Sequence, residues 1–260
     1  MAQTVYEALV DWGIFEHGVP LSTPASLEQP LIELPPDKVF SYDSSSQPNL
    51  KVFAPANISL GPLIRLQLIG PSEERKNLTA ILLAVPRRLE ILLAGPGNKI
   101  FIGDVNDFGA SFVLWKNCAI AIGDNASSNQ TSATANQNDI IIGRDCMFAH
   151  EVMLQAANMH TIVDLKTKKT STTLLTKQVI GPHVWLGRRT LLMPGVTVGP
   201  GSIIAAGAVV TKDIPHSSLA AGVPAKVIKE QVSWFRNNDG RYQEDELKDL
   251  PALLPTPASK

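Results

Sequence analysis

The chain has 260 residues, of which 44% are hydrophobic and 18% are charged, and its formal net charge is -1. This composition is typical of a globular protein and excludes a largely disordered chain. The near-neutral charge gives no global attraction for nucleic acid or an anionic membrane, so we expect neither as a partner.

The N-terminal residues show no feature of a secretory signal. Glu7 and Asp11 lie within the first dozen positions, and there is neither a basic n-region nor an apolar h-region. The most apolar stretch, residues 80–94, is interrupted by charged residues and is too short to span a membrane. Cys118 and Cys146 are too few for a disulfide framework or a zinc cluster. We therefore expect a cytoplasmic protein without a membrane span.

Residues 1–97 predict a strand-rich N-terminal cap. Residues 20–62 are irregular and rich in proline, and residues 63–93 contain strand-like stretches such as LIRLQLIG. A solenoid needs its terminal coils covered, because an open end exposes unpaired strand edges. We expect residues 1–97 to form that cover on the acceptor side.

A six-residue period follows, first weakly. Large residues recur at Ile102, Phe108, Leu114 and Ile120, and then at Ile142, Phe148, Leu154 and His160. Cys118 and Cys146 each lie four residues after an aliphatic one, where a small side chain is needed, so they are predicted to be compact core groups. The polar run at 124–139 predicts one weak coil with an excursion, with Ser128 and Thr134 at the aliphatic positions.

The period becomes strong from Ile180 onward. Aliphatic residues recur at Ile180, Leu186, Leu192, Val198, Ile204 and Val210, and four positions later come Val184, Thr190, Val196, Ser202 and Ala208. A period of six fits neither an α-helix nor a half-buried antiparallel strand. It predicts a triangular solenoid over residues 98–215, with glycine where a corner takes positive φ and with a second excursion at 161–179.

The C-terminal segment, residues 216–260, leaves the period. Its sequence predicts a short helix near Lys226 to Arg236. The final residues, DLPALLPTPASK, predict a loose tail.

His160 is an imidazole at an aliphatic position of the repeat. It stands where the regular hexads give way to the excursion at 161–179. Such a break in a local pattern is typical of a functional site. The alternative is a partly buried histidine that is satisfied by local hydrogen bonds.

Three stretches between residues 142 and 234 resemble one known family. They are NMHTIVDLKTKK, VIGPHVWLGRRTLLMPGVTVGPGSIIAAGAVVTKDIP and AAGVPAKVIKEQVSW. Together they resemble the hexapeptide-repeat acyltransferases, especially the O-acetyltransferases of capsule, lipopolysaccharide and sialic acid. The resemblance implies an all-β, left-handed parallel β-helix that forms a homotrimer with its active site between subunits. It also implies acetyl-CoA as the acetyl donor, a carbohydrate hydroxyl as the acceptor, and no metal.

The same resemblance implies the site residues. His160 would be the general base, and the backbone N–H of Trp185 would stabilise the oxyanion. Asp164 would either orient the imidazole or hold a loop, and Asn158 and His183 would lie beside the acceptor. The residues implied along the coenzyme are Gly187, Ala205, Ala206, Lys212 and Lys226. For Trp185 and the two lysines, an ordinary surface role stays open.

Three other functions are compatible with the same fold. An N-acetyltransferase of an amino sugar or small amine would use the same base, and the sequence does not distinguish it from an O-acetyltransferase. A metal-dependent lyase or hydrase similar to γ-class carbonic anhydrase needs three histidines with two close in sequence, whereas His150, His160 and His183 contain no such pair. A noncatalytic scaffold would have no need of the histidine, the tryptophan and the GVPAKVI stretch.

Overall fold

The computed structural model describes residues 3–14, 18–43, 48–61, 63–69, 76–105, 107–171, 176–242 and 247. Two short helices, α1 (Val5–Asp11) and α2 (Pro24–Leu27), and a 3₁₀ turn (Pro36–Lys38) lie in the N-terminal part. A capping box begins α1, because the hydroxyl of Thr4 accepts the N–H of Glu7 and the Glu7 carboxylate accepts the N–H of Thr4.

The remaining regular elements are strands. The N-terminal half contains β1 (Leu31–Leu34), β2 (Phe40–Ser41), β3 (Asn49–Pro55), β4 (Ile64–Leu68), β5 (Asn77–Leu82), β6 (Leu89–Leu93), β7 (Asn98–Ile102), β8 (Phe108–Leu114), β9 (Ala119–Ile122) and β10 (Ser127–Ala135). Next come β11 (Asp139–Ile142), β12 (Met147–Phe148), β13 (Val152–Gln155), β14 (Ile162–Val163), β15 (Thr170–Ser171), β16 (Lys177–Ile180) and β17 (Trp185–Leu186). The last are β18 (Leu191–Leu192), β19 (Thr197–Val198), β20 (Ile203–Ile204), β21 (Val209–Val210), β22 (Ser218–Ala221) and β23 (Lys226–Glu230).

These strands wind into the coils of a parallel β-helix with three faces. Face 1 contains β1, β3, β5, β7, β9, β11, β16 and β19; face 2 contains β12, β17, β20 and β22; face 3 contains β13, β18 and β21. The longer β8 and β10 run along both face 2 and face 3, so that Ser128 pairs with Phe148 and Ala133 pairs with Leu154. Stacked coils pair in parallel. The predicted left-handed parallel β-helix is confirmed.

The six-residue ladder forms the interior of the coils, as predicted. The side chains that face inward at this phase are at most 1% exposed: Ile102, Phe108, Leu114, Ile120, Ile142, Phe148, Leu154, Ile180, Leu186, Leu192, Val198, Ile204 and Val210. Cys118 and Cys146 are buried at the small-residue position, again as predicted. Burial raises the pKa of the Cys146 thiol to about 12. The core is therefore one continuous apolar column along the coil axis.

Three corners join the faces, and each has a residue with positive φ in successive coils. Corner 1, between faces 1 and 2, has Asn125, Asp145, His183, Gly201 and Ser217 at this position. Corner 2, between faces 2 and 3, has Glu151, Arg189 and Gly207, and corner 3, between faces 3 and 1, has Gly97, Asn117, Gln137 and Gly195. Most of these residues carry side chains, so the tight turn does not depend on glycine alone.

The glycines that follow the aliphatic residues are required for a different reason from the one predicted. Gly181 and Gly187 do not have positive φ. A Cβ at Gly187 would lie 2.6 Å from the backbone nitrogen of Ala206, and one at Gly181 would lie 2.7 Å from the nitrogen of Pro200. Glycine is needed here because the next coil approaches too closely for any side chain.

The boundary predicted between residues 97 and 98 does not mark the start of the solenoid. Strands β3, β5 and β7 already stack in parallel on face 1, and Val52, Ala80 and Ile100 are in register. The N-terminal segment instead covers the outer side of face 1. Leu9 and its neighbours in α1 pack there against a second apolar cluster that includes Phe101. The reason is that face 1 is apolar on both sides and cannot be left open to water.

The polar run at 124–139 is a regular coil and not an excursion. Nine of its residues form β10, which pairs with β8 along most of its length. Small polar side chains satisfy each other inside: the Ser128 hydroxyl donates to the carbonyl of Gly109 at 2.8 Å and lies 2.8 Å from the Thr131 hydroxyl. Ala133 and not Thr134 takes the inward position beside Leu154, because the register shifts between Ser128 and Thr131.

The predicted helix near Lys226 to Arg236 is wrong. Residues Lys226–Glu230 form β23, which pairs antiparallel with β22 and covers the last coil. An exposed strand edge on that coil gives the segment a partner that outweighs its local helical preference. The predicted C-terminal tail, residues 249–260, lies outside the described residues.

The hexad register can be tested with a pair of neighbouring substitutions. Leu192 is fully buried, whereas Leu191 alternates with it and points outward. We expect Leu192→Asp to yield no folded protein, since an unpaired buried carboxylate costs several kcal/mol. Leu191→Asp leaves its carboxylate outside the coil, so it should keep the β-sheet circular dichroism spectrum of the wild type even if the oligomeric state changes. A folded Leu192→Asp protein with that spectrum would contradict the register.

Candidate active site

His160 lies where the chain leaves the β-helix. Ala156 and Ala157 are still buried at corner 3, and the N–H of Ala156 donates to the carbonyl of Thr134. Asn158 is half-buried, and the side chain of His160 is exposed. Although His160 has the phase of an inward-facing residue in the sequence, its side chain does not point into the core, because the coil has already ended before position 160.

A β-hairpin follows His160 and stands outside the coils. Strands β14 and β15 pair only with each other in the described sheets, through Ile162 with Ser171 and Val163 with Thr170. Their side chains are exposed. The interruption of the repeat is therefore a protruding hairpin, and His160 stands at its base.

Asp164 holds the turn of this hairpin. Its Oδ1 accepts the N–H of Lys166 at 2.9 Å and the N–H of Thr167 at 2.8 Å. The hydrogen bonds from Thr167 and Lys166 lower the pKa of this carboxyl group. Among the described residues, no hydrogen bond joins Asp164 to His160. Of the two roles considered from the sequence, these contacts support the loop-holding one.

Trp185 begins β17 on face 2, beside corner 1. Its backbone N–H donates to the carbonyl of Ser202 in the next coil at 2.9 Å. The role expected for this N–H, donation to an oxyanion, is contradicted because the ladder already uses it. The side chain projects outward and is 36% exposed. Any contact of Trp185 with a substrate must therefore come from its indole ring.

His183 does not face a substrate, contrary to expectation. It is 3% exposed, and its Nδ1 lies 2.6 Å from Oδ2 of Asp145 while its Nε2 lies 3.0 Å from the carbonyl oxygen of Trp234. The Trp234 ring stacks on the imidazole at 4.4 Å, and its Nε1–H donates to the His183 carbonyl at 2.9 Å. Both ring nitrogens are thus occupied by structural partners.

Asp145 is the shared partner of His183 and Arg236. Its Oδ1 accepts a hydrogen bond from Nε of Arg236 at 2.9 Å. Desolvation acts to raise the pKa of Asp145, but the hydrogen bond with His183 and the charge of Arg236 outweigh it, so the pKa is lowered. The carboxylate is therefore held in its charged form by two cationic or hydrogen-donating neighbours.

The residues expected along the coenzyme lie at two corners. Gly187, Ala205 and Ala206 are at corner 2, where the missing Cβ of Gly187 faces the backbone of the other two. This packing explains the glycine without a ligand. Lys226 is exposed on β23, beside the same corner, since Ala225 donates to the carbonyl of Val209. Lys212 is exposed at corner 3, on the same side of the coil as His160.

His160 and Trp185 belong to different corners of the coil. His160 follows corner 3, and Trp185 follows corner 1, with β16 of face 1 between the two corners. At about 3.3 Å per residue, a face of five residues separates its ends by roughly 15 Å. A single chain therefore does not bring the predicted base and the predicted tryptophan together.

Two further findings bear on the site. Within the described ranges, no three His, Cys, Asp or Glu side chains come together in a way that would hold a metal ion. In the same part of the chain, each helix is too short or too polar to cross a membrane.

Comparison with known proteins finds one matching family model and several similar proteins. Residues 179–212 match the family described as bacterial transferase hexapeptide (six repeats). The crystal structure of NeuO, a polysialic-acid-specific acetyltransferase, superimposes with a TM-score of 0.63 at 25% identity and covers 82% of this chain and 97% of that one. Part of this chain therefore consists of hexapeptide repeats of that type. Its predicted resemblance to the hexapeptide-repeat acyltransferases is thereby confirmed.

Other relatives of this chain carry related names. The polysialic acid O-acetyltransferase of Escherichia coli O1:K1 / APEC is 33% identical over 155 residues, which are 60% of this chain and 44% of the relative. The galactoside O-acetyltransferase of Escherichia coli strain K12 is 36% identical over 111 residues, which are 43% of this chain and 54% of the relative. The chain thus spans about half the length of these two relatives. OatWY, a polysialic acid O-acetyltransferase, shares the fold with a TM-score of 0.63 at 22% identity, covering 79% of this chain and 95% of that one.

Sequence reasoning missed Asp145, Trp234 and Arg236. Arg236 bonds to the side chains of Asp145 and Ser127 and to the carbonyl oxygens of Asn125 and Cys146. Trp234 is 5% exposed although it lies after strand β23, beyond the repeat. A large aromatic residue beyond the repeat was the available signal, because such a residue is rarely left in water without a partner.

The role of Asp145 predicts a pH-dependent loss of stability. We expect Asp145→Asn to lower the free energy of unfolding at pH 7 by about 1–3 kcal/mol, since it weakens charge-assisted hydrogen bonds to His183 and Arg236. Because the pKa of Asp145 is lowered on folding from the ordinary value of 3.8, this contribution is complete above pH 3.8 and is lost as the pH falls through the lower folded pKa.

Thermal unfolding measured from pH 7 to pH 2.5 checks this prediction. The difference in Tm between Asp145→Asn and the wild type should narrow toward the acid end. Glu151→Gln is the matched control, because Glu151 pairs with Arg189 on the exposed surface of corner 2 and should have a much smaller effect at pH 7. A constant Tm difference across the pH range would contradict the assignment.

Proposed function

We propose that this chain is an acetyl-CoA-dependent O-acetyltransferase that acts on a sugar hydroxyl of a glycan, a polysaccharide or a sugar precursor, with His160 as the general base. The observation that carries the proposal is the exposed imidazole of His160 at the base of the hairpin, where the coils are interrupted. The names of the relatives support the reaction class, and the position of His160 in the HTIVD stretch supports the residue.

Acetyl transfer from a thioester to a hydroxyl requires a general base and a cleft that holds both substrates. A sugar hydroxyl has a very high pKa, so it needs a base that removes its proton as it attacks. His160 would accept that proton while the new C–O bond forms, and would return it to the sulfur atom as the C–S bond breaks. Proximity in one groove would supply much of the remaining rate enhancement. No covalent intermediate with the enzyme is needed.

We further propose a homotrimer in which the cleft is completed by two chains. Outward-facing apolar residues form ladders along the coils from β12 to β22. They are Met147, Trp185, Ile203 and Leu219 on face 2, and Met153, Leu191 and Val209 on face 3. Met153 is 47% exposed in the single chain. Such apolar ladders are typical of a surface that a second subunit covers. A neighbouring copy would place its Trp185 beside His160, which one chain does not do.

The residues predicted to lie along the coenzyme are compatible with this trimer. Lys212 shares corner 3 with His160 and would reach phosphate groups as a flexible point charge. Ala206 at corner 2 is exposed and small, so it leaves room for a narrow ligand arm. With its backbone N–H committed, Trp185 would contribute the Nε1–H of its ring to the developing oxyanion. Asp164 would act only through the hairpin that it holds.

Replacement of His160 tests the function. We expect His160→Ala to keep the fold and the oligomeric state and to lose acetyl transfer by about 10²–10⁴-fold, because the base is removed. Release of free thiol from acetyl-CoA is measured against a panel of sugars, amino sugars and acidic polysaccharides, and light scattering reports the oligomer. Transfer to amino sugars alone would favour the N-acetyltransferase instead.

His150→Ala is the matched control for this experiment. His150 is also exposed, but it lies two coils before Ala206 at corner 2 and away from the hairpin. We expect its acetyl transfer to equal that of the wild type. If His160→Ala turned over as fast as this control, His160 would not be the base.

A further inference from the structure

The segment Val232–Arg236, which we call the strap, runs along corner 1 and contacts five coils in succession. The N–H of Val232 donates to the carbonyl of Ser217, and the hydroxyl of Ser233 donates to the carbonyl of Gly201. Trp234 then reaches His183, as described above. Arg236 closes the series by donating to Oδ1 of Asp145 and to the carbonyl of Asn125.

The five coil residues in this series share one property. Ser217, Gly201, His183, Asp145 and Asn125 are the positive-φ residues of corner 1. The N–H of each of these residues donates to a carbonyl of the coil before it. The groups that the strap contacts are the remaining carbonyl oxygens, with the Asp145 carboxylate in place of a carbonyl in its coil. The strap supplies a donor to each coil in turn. Its path along the β-helix is therefore fixed by the corner geometry and not by local propensity.

Trp234 is the part of the strap that meets Trp185. Its ring lies between the His183 imidazole, at 4.4 Å and 10°, and the Arg236 guanidinium, at 5.7 Å from the ring centre. The Trp185 ring lies 6.3 Å from it at 50°, a separation and tilt within the range of aromatic pairs. Trp234 is buried and clamped, whereas Trp185 is partly exposed, so the first ring fixes the second.

We propose that Trp234 is a positioning residue that holds the Trp185 indole ring in the orientation needed at the transfer site, with the strap as its anchor. The role of Trp185 in transfer rests on the function proposed above. The contact between the two rings does not, because it is present in the free chain. The role of Trp185 in transfer and the contact between the two rings can therefore be tested separately, the first by activity and the second by a structural measurement.

The expected kinetic effect is specific. Trp234→Leu removes the aromatic wall while keeping an apolar side chain, and we expect kcat/KM to fall about tenfold, with most of the loss in kcat, because the Trp185 ring that would stabilise the developing oxyanion is no longer held. Trp234→Phe keeps an aromatic face and should restore kcat/KM to within about threefold of the wild type. A strap that only stabilised the fold would lower the amount of folded enzyme but leave kcat per folded molecule unchanged.

The structural readout uses fluorine NMR of 5-fluorotryptophan protein. The chain has four tryptophans, and Trp185→Phe assigns the resonance of Trp185. We expect Trp234→Leu to shift and broaden that resonance, and Trp234→Phe to preserve it more closely. Trp12→Leu is the matched control, because Trp12 packs in the N-terminal segment over Lys99 and should leave the Trp185 signal unchanged.

A second variant covers the case in which Trp234→Leu does not fold. Arg236→Gln keeps both rings but weakens the anchor at Asp145, so the Trp185 signal should again broaden. An unchanged Trp185 resonance in a folded Trp234→Leu or Arg236→Gln protein would overturn the proposal, and so would a Trp234→Leu enzyme with wild-type KM and kcat. If the wild type itself transferred no acetyl group to any acceptor, the proposed function would fail, and the resonance alone would decide the positioning role.

Discussion

The close stacking of successive coils is the constraint on which the structure depends. Each coil donates backbone N–H groups to the coils on both sides of it, at a strand spacing of about 4.8 Å. This spacing requires glycine where Gly187 faces Ala206, and it requires an inward side chain of similar size in every coil, such as Leu186 above Ile204. The apolar column and the backbone ladder stabilise each other, because a shift of one coil would break backbone hydrogen bonds and also leave a gap in the apolar core.

The same stacking limits where chemistry can occur. A backbone group inside the ladder is already bonded, as the N–H of Trp185 shows, so the regular coils offer mainly outward side chains. Reactive geometry must arise where the ladder is interrupted. The hairpin after Ala157 is such an interruption, and it leaves the imidazole of His160 in solvent. At corner 1 the N–H ladder continues, and the strap bonds to carbonyl oxygens and to the Asp145 carboxylate and places Trp234 beside Trp185.

Much of the fold could be predicted from the sequence, because a period of six reports directly on which side chains point inward. The prediction failed where the sequence pattern continues but the coil does not, because only the pairing of strands in three dimensions shows where a coil ends. His160 keeps the phase of Leu154 in sequence, yet the coil ends before it. Lys226–Glu230 reads as helical, yet it pairs with the exposed edge of β22.

The candidate site was less predictable, because its supporting contacts join residues far apart in the chain. Trp234 contacts His183 across 51 positions, and Arg236 contacts Asp145 across 91. No spacing in the sequence reports such pairs. His183 shows the consequence: matching to a family placed it beside the acceptor, whereas its burial and its two ring contacts give it a structural role.

The central claim is that one chain supplies His160 and its neighbour supplies Trp185, and mixed oligomers test it most directly. His160→Ala and Trp185→Ala chains with different tags would be expressed together and purified through both tags, so that each oligomer contains both variants. We predict that these mixed oligomers recover a clear fraction of wild-type acetyl transfer, while each variant alone is impaired, because one interface then has both intact residues. Mixed oligomers no more active than the variants alone would contradict the account.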